Sequence, residues 1–296
     1  MPDRALHQGR PGAIPNERRK VFFGLFVFPM LIAVTMALLL SGIVLLTHEE
    51  ETPETLITAI KTGAPSKRWQ KAFELSNELN RQGGMIRSAG IMQEVIHILN
   101  DAEHYDAKTR AYMAMALSRF QSPEAARALQ DALRTTEGKE NPELTLFLIW
   151  SLGNMKDPGA AGEVSRFLES DHDELRKASA YVLGILGDKE LIPRLEHLLE
   201  DQVPDVRWNA AISLARLGSA SGVSILVQML DRTHLKSAHG MNDAEIERVM
   251  TNAAKALGMI GRPERTPVLE EISKEDPSLK VRQAALSALA PIAESI

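Results

Sequence analysis

The sequence predicts an all-α chain, with one N-terminal transmembrane helix followed by an α-solenoid of about seven helix pairs. Three observations carry this reading. Residues 21–46 hold no charged side chain, residues 52–296 repeat a leucine-centred helical pattern, and the 296-residue chain contains no cysteine, so packing alone must hold it together. The absence of cysteine also excludes a thiolate nucleophile, a zinc ribbon, a Cys-ligated iron-sulfur cluster and a disulfide framework.

The first 50 residues divide into unlike pieces. Residues 1–20 carry Arg4, Arg10, Arg18, Arg19 and Lys20 against Asp3 and Glu17, a net charge of +3. The uncharged stretch 21–46 exceeds the roughly 20 residues that cross a hydrocarbon core as a helix, and Pro29 inside it is a candidate kink. Glu49, Glu50 and Glu51 follow it. With the cationic flank N-terminal, the positive-inside rule puts residues 1–20 in the cytoplasm and everything after residue 47 on the far side of a bacterial inner membrane. A cleaved secretory signal is the competing reading, but its apolar region is usually about 7–15 residues, shorter than this one. The expected organisation is a cytoplasmic basic tail (1–20), a single-pass signal anchor contacting the bilayer (21–46), a short linker (47–53) and a periplasmic or extracellular repeat domain (54–296). Beyond residue 46 the chain has 29 basic and 37 acidic residues, a net charge of −8, which disfavours DNA and anionic lipid alike.

Self-comparison finds the repeat. The stretch from Leu175 and Arg176 to Leu183, Gly184 and Gly187 aligns with that from Val206 and Arg207 to Leu214, Ala215 and Gly218, 31 residues on. With the Arg as position zero, weaker copies align at Arg68, Arg110, Thr145, Met250 and Arg282. Position +7 is then always Leu, and position +8 is always small: Ser76, Ser118, Gly153, Gly184, Ala215, Gly258, Ala290. Positions 0, +3, +4, +7, +8 and +11 fall on one arc of a helix, so each copy is the second helix of a pair, and its small residues admit a close neighbour. The first helix is clearest at Leu191 to Asp201 and Gly222 to Leu230, apolar at i, i+3, i+4 and i+7. Asp157-Pro158, Gly187-Asp188, Gly218-Ser219 and Gly261-Arg262-Pro263 are the expected stops. Two spacings, 42 and 43 residues, are longer than the rest, and the surplus is expected as loops at Arg81 to Gly90 and at His234 to Asp243.

Pro193, Leu195, Leu198, Leu199 and Asp201, followed by Asp205, Val206, Arg207, Ala210, Ala211, Leu214, Leu217 and Gly218, resemble a HEAT repeat of the short phycobilisome-lyase-like subtype. The resemblance covers about residues 54–296. It implies a right-handed solenoid in which each unit buries its apolar face against its neighbours. It also implies that Arg110, Arg176, Arg207 and Arg282 are structural partners of loop carboxylates, Asp201 or Asp205 for Arg207, and that the second helices line the concave surface.

On that surface position +5 reads Phe73, Met115, Trp150, Tyr181 and Ile212, and positions +1 or +2 add Trp69, Tyr112, Phe147 and Trp208. These nine residues are the candidate protein-binding face, since Trp and Tyr dominate interface hot spots; packing between adjacent second helices is the alternative. Histidine offers no metal site. The di-metal HEAT hydroxylases need His-Glu pairs on successive inner helices, and the only His-Glu dipeptide, His48-Glu49, lies outside the repeats. No phosphate loop, Gly-x-Ser-x-Gly elbow or His-Glu-x-x-His motif occurs. The expectation is therefore a non-enzymatic, cofactor-free scaffold, an accessory or assembly subunit binding an integral membrane complex and its periplasmic subunits, with no nucleic acid or metal. Two alternatives are a bilin-lyase-like or other tetrapyrrole-handling enzyme and a nucleic-acid binder like the HEAT-like DNA glycosylases.

Overall fold

The structure is a computed structural model that describes residues 23–47, 52–81, 88–136, 138, 140–260 and 266–290. It divides into two compact units, one up to Glu51 and one from Thr52 onward. In the first, a π-helical turn at Phe23–Val27 runs into helix α1, Phe28–Thr47. Pro29, which cannot donate to the helical ladder, stands just inside α1 where that wide turn gives way. Residues 23–43 have a mean hydropathy of 2.5 and are exposed along their length, which is one N-terminal helix long and apolar enough to cross a membrane. Residues 1–22 and 48–51, including the basic tail and the acidic run, lie outside the described residues.

The second unit is an α-solenoid of seven helix pairs, with no strand among the described residues. Its first helices are α2 (Pro53–Thr62), α4 (Ala89–Asn100), α6 (Pro123–Thr135), α8 (Ala161–Ser165), α10 (Ile192–His197), α12 (Val223–Gln228) and α15 (Thr266–Glu275). The second helices are α3 (Arg68–Arg81), α5 (Ala107–Leu117), α7 (Pro142–Met155), α9 (Asp173–Leu186), α11 (Pro204–Arg216), α14 (Asp243–Ile260) and α16 (Leu279–Leu289). One further helix, α13 (Arg232–His239), stands between α12 and α14. The starts follow local chemistry: Thr52, Ser88, Asp106 and Ser122 each accept a backbone N–H of the first turn, and Pro53 and Pro123 occupy first positions where no N–H is needed. Helices α9 and α11 end before Gly187 and Gly218, at φ +81° and +84°, left-handed conformations that only glycine adopts without cost.

Each second helix packs on the second helix of the next repeat. The +8 position makes this possible, because it faces position +6 of the following copy. A Cβ added to Gly153 would lie 2.8 Å from Val182 Cγ2, one on Gly184 would lie 2.7 Å from the Cα of Ser213, and one on Gly258 would lie 3.1 Å from the Cα of Ala288. The invariant Leu at +7 fills the seam: Leu75, Leu117, Leu152 and Leu214 are fully buried. The core has two parts, and α11 belongs to both. Val206, Ala210 and Leu214 join the apolar cluster of repeats one to five, while Trp208, Ala211 and Ile212 join the cluster of repeats five to seven.

The position-zero arginines engage the loops as expected, and Arg176 meets a loop carboxylate, but Arg207 takes main-chain carbonyls rather than the carboxylate of Asp201 or Asp205. Arg207 Nη1 donates to the carbonyl of Asp201 at 2.6 Å, Arg282 Nη1 to that of Asp276 at 2.6 Å, Arg176 Nη1 to that of Ser170 at 2.8 Å, and Arg110 Nε to that of Leu99 at 2.7 Å. The Asp201 carboxylate instead receives Arg176 of the preceding repeat, Nε to Oδ2 at 2.7 Å and Nη2 to Oδ1 at 3.1 Å. Arg207 Nη1 also donates to the carbonyl of Gln202 at 3.2 Å, so it is engaged by the main chain of its own loop while the Asp201 carboxylate is held by the neighbouring repeat. Repeat six has Met250 at position zero and so lacks this arginine. Helix α13 replaces it, with Arg232 Nε and Nη2 on the Asp276 carboxylate at 3.1 and 2.9 Å.

That role also corrects the expectation of a polar loop at residues 234–243. The segment begins as helix α13, capped by Asp231 at its start and by Gly240 at φ +62° at its end, with Leu235 fully buried. Of the other expected loop, residues 82–87 lie outside the described residues; Arg81 closes α3, and Ala89 and Gly90 open α4.

Burial raises the Asp201 pKa, but hydrogen bonds from Arg176 and the Val203 N–H and the charges of Arg176 and Arg207 outweigh it and hold the carboxyl below its ordinary value. Its stabilising contribution is therefore complete above the unfolded carboxylate value of about 4 and is lost as pH falls through the lower folded value. Asp201→Asn should destabilise by about 2 kcal/mol at neutral pH, as expected for a hydrogen bond to a charged group. The difference from wild type should shrink as denaturation is followed into acid, and a difference independent of pH would contradict this pairing.

Candidate functional site

The structure breaks the expected nine-residue stripe into three neighbourhoods. Phe73, Tyr112 and Phe147 form an edge-to-face ladder across α3, α5 and α7, with ring centroids 5.3 and 5.6 Å apart. Trp69, at the start of α3, lies under the Lys108 ammonium, 3.7 Å from the ring centroid. Trp150 and Tyr181 pair at 5.3 Å between α7 and α9. Phe73 and Trp150 are the exposed members at 44% and 39%, Met115 is half-buried, and Trp208 and Ile212 are buried at 9%. Trp208 is drawn inward because α11 serves both cores.

The second half of the stripe opens into a cleft of about 380 Å³ bounded by α7, α9, α11 and α14. Four of the nine singled-out residues line it, namely Trp150, Tyr181, Trp208 and Ile212. Sequence reasoning missed its polar half: Lys177 on α9, Asp205 and Asn209 on α11, and Arg248 and Asn252 on α14. The signal was present, since Lys177 precedes Tyr181 by one turn, Asn209 precedes Ile212 by three residues, and such neighbours share a helix face. Met229, just after α12, completes the apolar wall.

The electrostatics inside the cleft are uneven. Lys177 Nζ is 2.7 Å from Glu174 Oε2 and 3.9 Å from Asp205 Oδ2. Arg216, one turn beyond Ile212, places its guanidinium carbon 4.6 Å from the Tyr181 ring centroid, and its Nη1 is buried without a hydrogen-bond partner. Helix α13 leans on the same wall, with His239 edge-on to Trp208 at 5.2 Å and His234 edge-on to His239 at 5.3 Å. Aromatic faces beside cations suit a flat, partly apolar ligand bearing carboxylates. Among the described residues no group of three or more His, Asp or Glu side chains converges as a metal site.

The profile of HEAT repeats matches residues 92–183, 135–204, 164–239 and 235–290. This chain belongs to the HEAT-repeat family. It is 28% identical over 157 residues to the phycocyanobilin lyase subunit alpha of Nostoc sp. strain PCC 7120, covering 49% of this chain and 56% of that one. It is 30% identical over 103 residues to the deoxyhypusine hydroxylase of Arabidopsis thaliana, covering 34% of this chain and 33% of that protein. The matches thus span about a third and just over half of the lengths of these curated relatives. The complex of CpcE and CpcF of phycocyanin lyase from Nostoc shares the fold, with a TM-score of 0.56 at 21% identity over 82% of this chain and 88% of that one.

These relatives overturn the expectation of a non-enzymatic scaffold for a membrane complex. Both curated relatives are named as enzymes or enzyme subunits, and one belongs to the bilin-lyase class held as the alternative. The absence of a short catalytic motif does not exclude an enzyme on this fold. A solenoid brings side chains of successive repeats together on one surface, and a short motif does not report such a grouping.

Proposed function

We propose that the repeat domain binds a linear tetrapyrrole in the cleft between α7 and α14 and acts in its attachment or transfer, as a bilin-lyase-like protein. The observation that carries this reading is the match to the phycocyanobilin lyase subunit, 28% identical over 157 residues. The cleft supports it chemically: Trp150 and Tyr181 offer ring faces for conjugated pyrroles, and Arg248 offers positive charge for a propionate side chain. This chain holds no cysteine, so the pigment is not carried on a thiol of its own. Its residues bind and orient the ligand, and an acceptor supplies the nucleophile.

Titration of the purified full chain with phycocyanobilin, followed by absorption, should show micromolar binding and an altered pigment band. Trp150→Ala should weaken binding about tenfold, in the range of an interface hot spot, and cost about 1 kcal/mol of stability, the worth of an aromatic pair. Trp208→Ala should cost about 3 kcal/mol, because that ring belongs to the core. Absence of any pigment binding by the wild-type chain would refute the proposal.

We further infer that residues 21–46 form a single-pass anchor in the bilayer, with the N-terminus cytoplasmic and the repeat domain periplasmic or extracellular. The net charge of +3 before the apolar helix and the three glutamates after it support this orientation. A reporter fused after Ile296 should be active on the far side of the membrane and absent from the cytoplasm. A cytoplasmic reporter, or a released chain lacking its first residues, would overturn the anchor.

A further inference from the structure

The cleft contains two cations, and they are not equivalent. Lys177 is already compensated by Glu174 at 2.7 Å and Asp205 at 3.9 Å. Arg248 is exposed and makes no hydrogen bond or ion pair among the described residues. The acidic side chains beside it on α14 are engaged elsewhere. Glu245 Oε2 accepts the backbone N–H of Asn242 at 2.9 Å, and Glu247 accepts the Ser278 hydroxyl at 2.6 Å while pairing with Lys280 at 3.3 Å. Arg216, the next cation along the wall, is spent on the face of Tyr181 at 4.6 Å.

An unpaired guanidinium facing a half-apolar cleft is the group best able to take a carboxylate, because its planar fork gives two parallel N–H donors and it cannot lose its charge. Asn252, four residues further along α14, presents an amide on the same helix face and can donate to the same group. Trp150 and Tyr181 line the same cleft from α7 and α9, so a ligand whose flat part lies against those rings can offer an acidic side chain to α14.

Resting on the tetrapyrrole reading above, we propose that Arg248 is the carboxylate anchor of the cleft and sets its preference for the free acid of the pigment over its ester. Lys177, held between two carboxylates, positions Asp205 and the cleft wall without supplying that selectivity.

The experiment compares binding of phycocyanobilin and of its dimethyl ester to the full chain in detergent, for wild type, Arg248→Gln, Arg248→Lys and, as a control for net charge, Lys274→Gln on the exposed side of α15. Wild type and Lys274→Gln should bind the acid about tenfold more tightly than the ester. Arg248→Gln should lose that preference by weakening the acid alone, and Arg248→Lys should restore part of it through charge without the fork. Unchanged thermal melting of Arg248→Gln would show that the loss is not one of folding. Retention of the acid preference in Arg248→Gln, or equal binding of acid and ester by wild type, would overturn the anchor while leaving the tetrapyrrole reading intact. Failure of wild type to bind either form would overturn both.

Discussion

The fold depends on how closely one second helix can approach the next. A helix pair of this kind cannot bury its apolar face alone and must do so against its neighbours. The approach is set by a single residue per repeat, the small side chain at +8 against position +6 of the following copy, as at Gly153 on Val182 and Gly184 on Ser213. With +4, +7 and +8 committed to the seam, position +5, about 100° further round the helix from +4, is left for the open side. Trp150 and Tyr181 at this position therefore line the cleft, whereas Ile212 at the same position lines it while being buried in the core.

A second device fixes the repeats in register from the loop side. Asp201 and Asp276 occupy the same place, six residues before the position-zero arginine of their own repeat, and each is clamped twice. An arginine from the same repeat holds the main-chain carbonyl, and one from before it takes the carboxylate in a bidentate pair. Repeat six has no arginine at that position, and the additional helix α13 provides one. The long spacing between repeats five and six is thus a repair of the ladder as well as an insertion, and it brings His239 against Trp208 at the edge of the cleft.

Much of this was legible in the sequence because a solenoid is written locally. Leu at +7 and a small residue at +8 recur in every copy, so the helix pairs and their stacking follow from period and residue size alone. The arginine pairing was not legible. Asp201 has Arg207 six residues away in sequence, yet its carboxylate goes to Arg176, and only the placement of the neighbouring repeat decides between them. Helix α13 was hidden for a related reason: its sole buried side chain is Leu235, so no apolar period marks it. The cleft was half visible. Its aromatic residues stood out in a chain poor in aromatics, whereas Lys177 and Arg248 look like ordinary surface charges until α9, α11 and α14 are brought together.

The same contact has two consequences, since the spacing that packs α9 on α11 also sets the separation of the cleft walls that these helices carry. Gly184 separates α9 from α11, lines no part of the cleft and touches Ser213, so it isolates that contact. The decisive measurement is equilibrium unfolding of Gly184→Ala beside Gly162→Ala, whose added Cβ would meet nothing within 4 Å. Gly184→Ala should lose about 1–3 kcal/mol, the cost of overpacking a tight seam, with Gly162→Ala as stable as wild type or slightly more so. Equal stability of the two variants would contradict it.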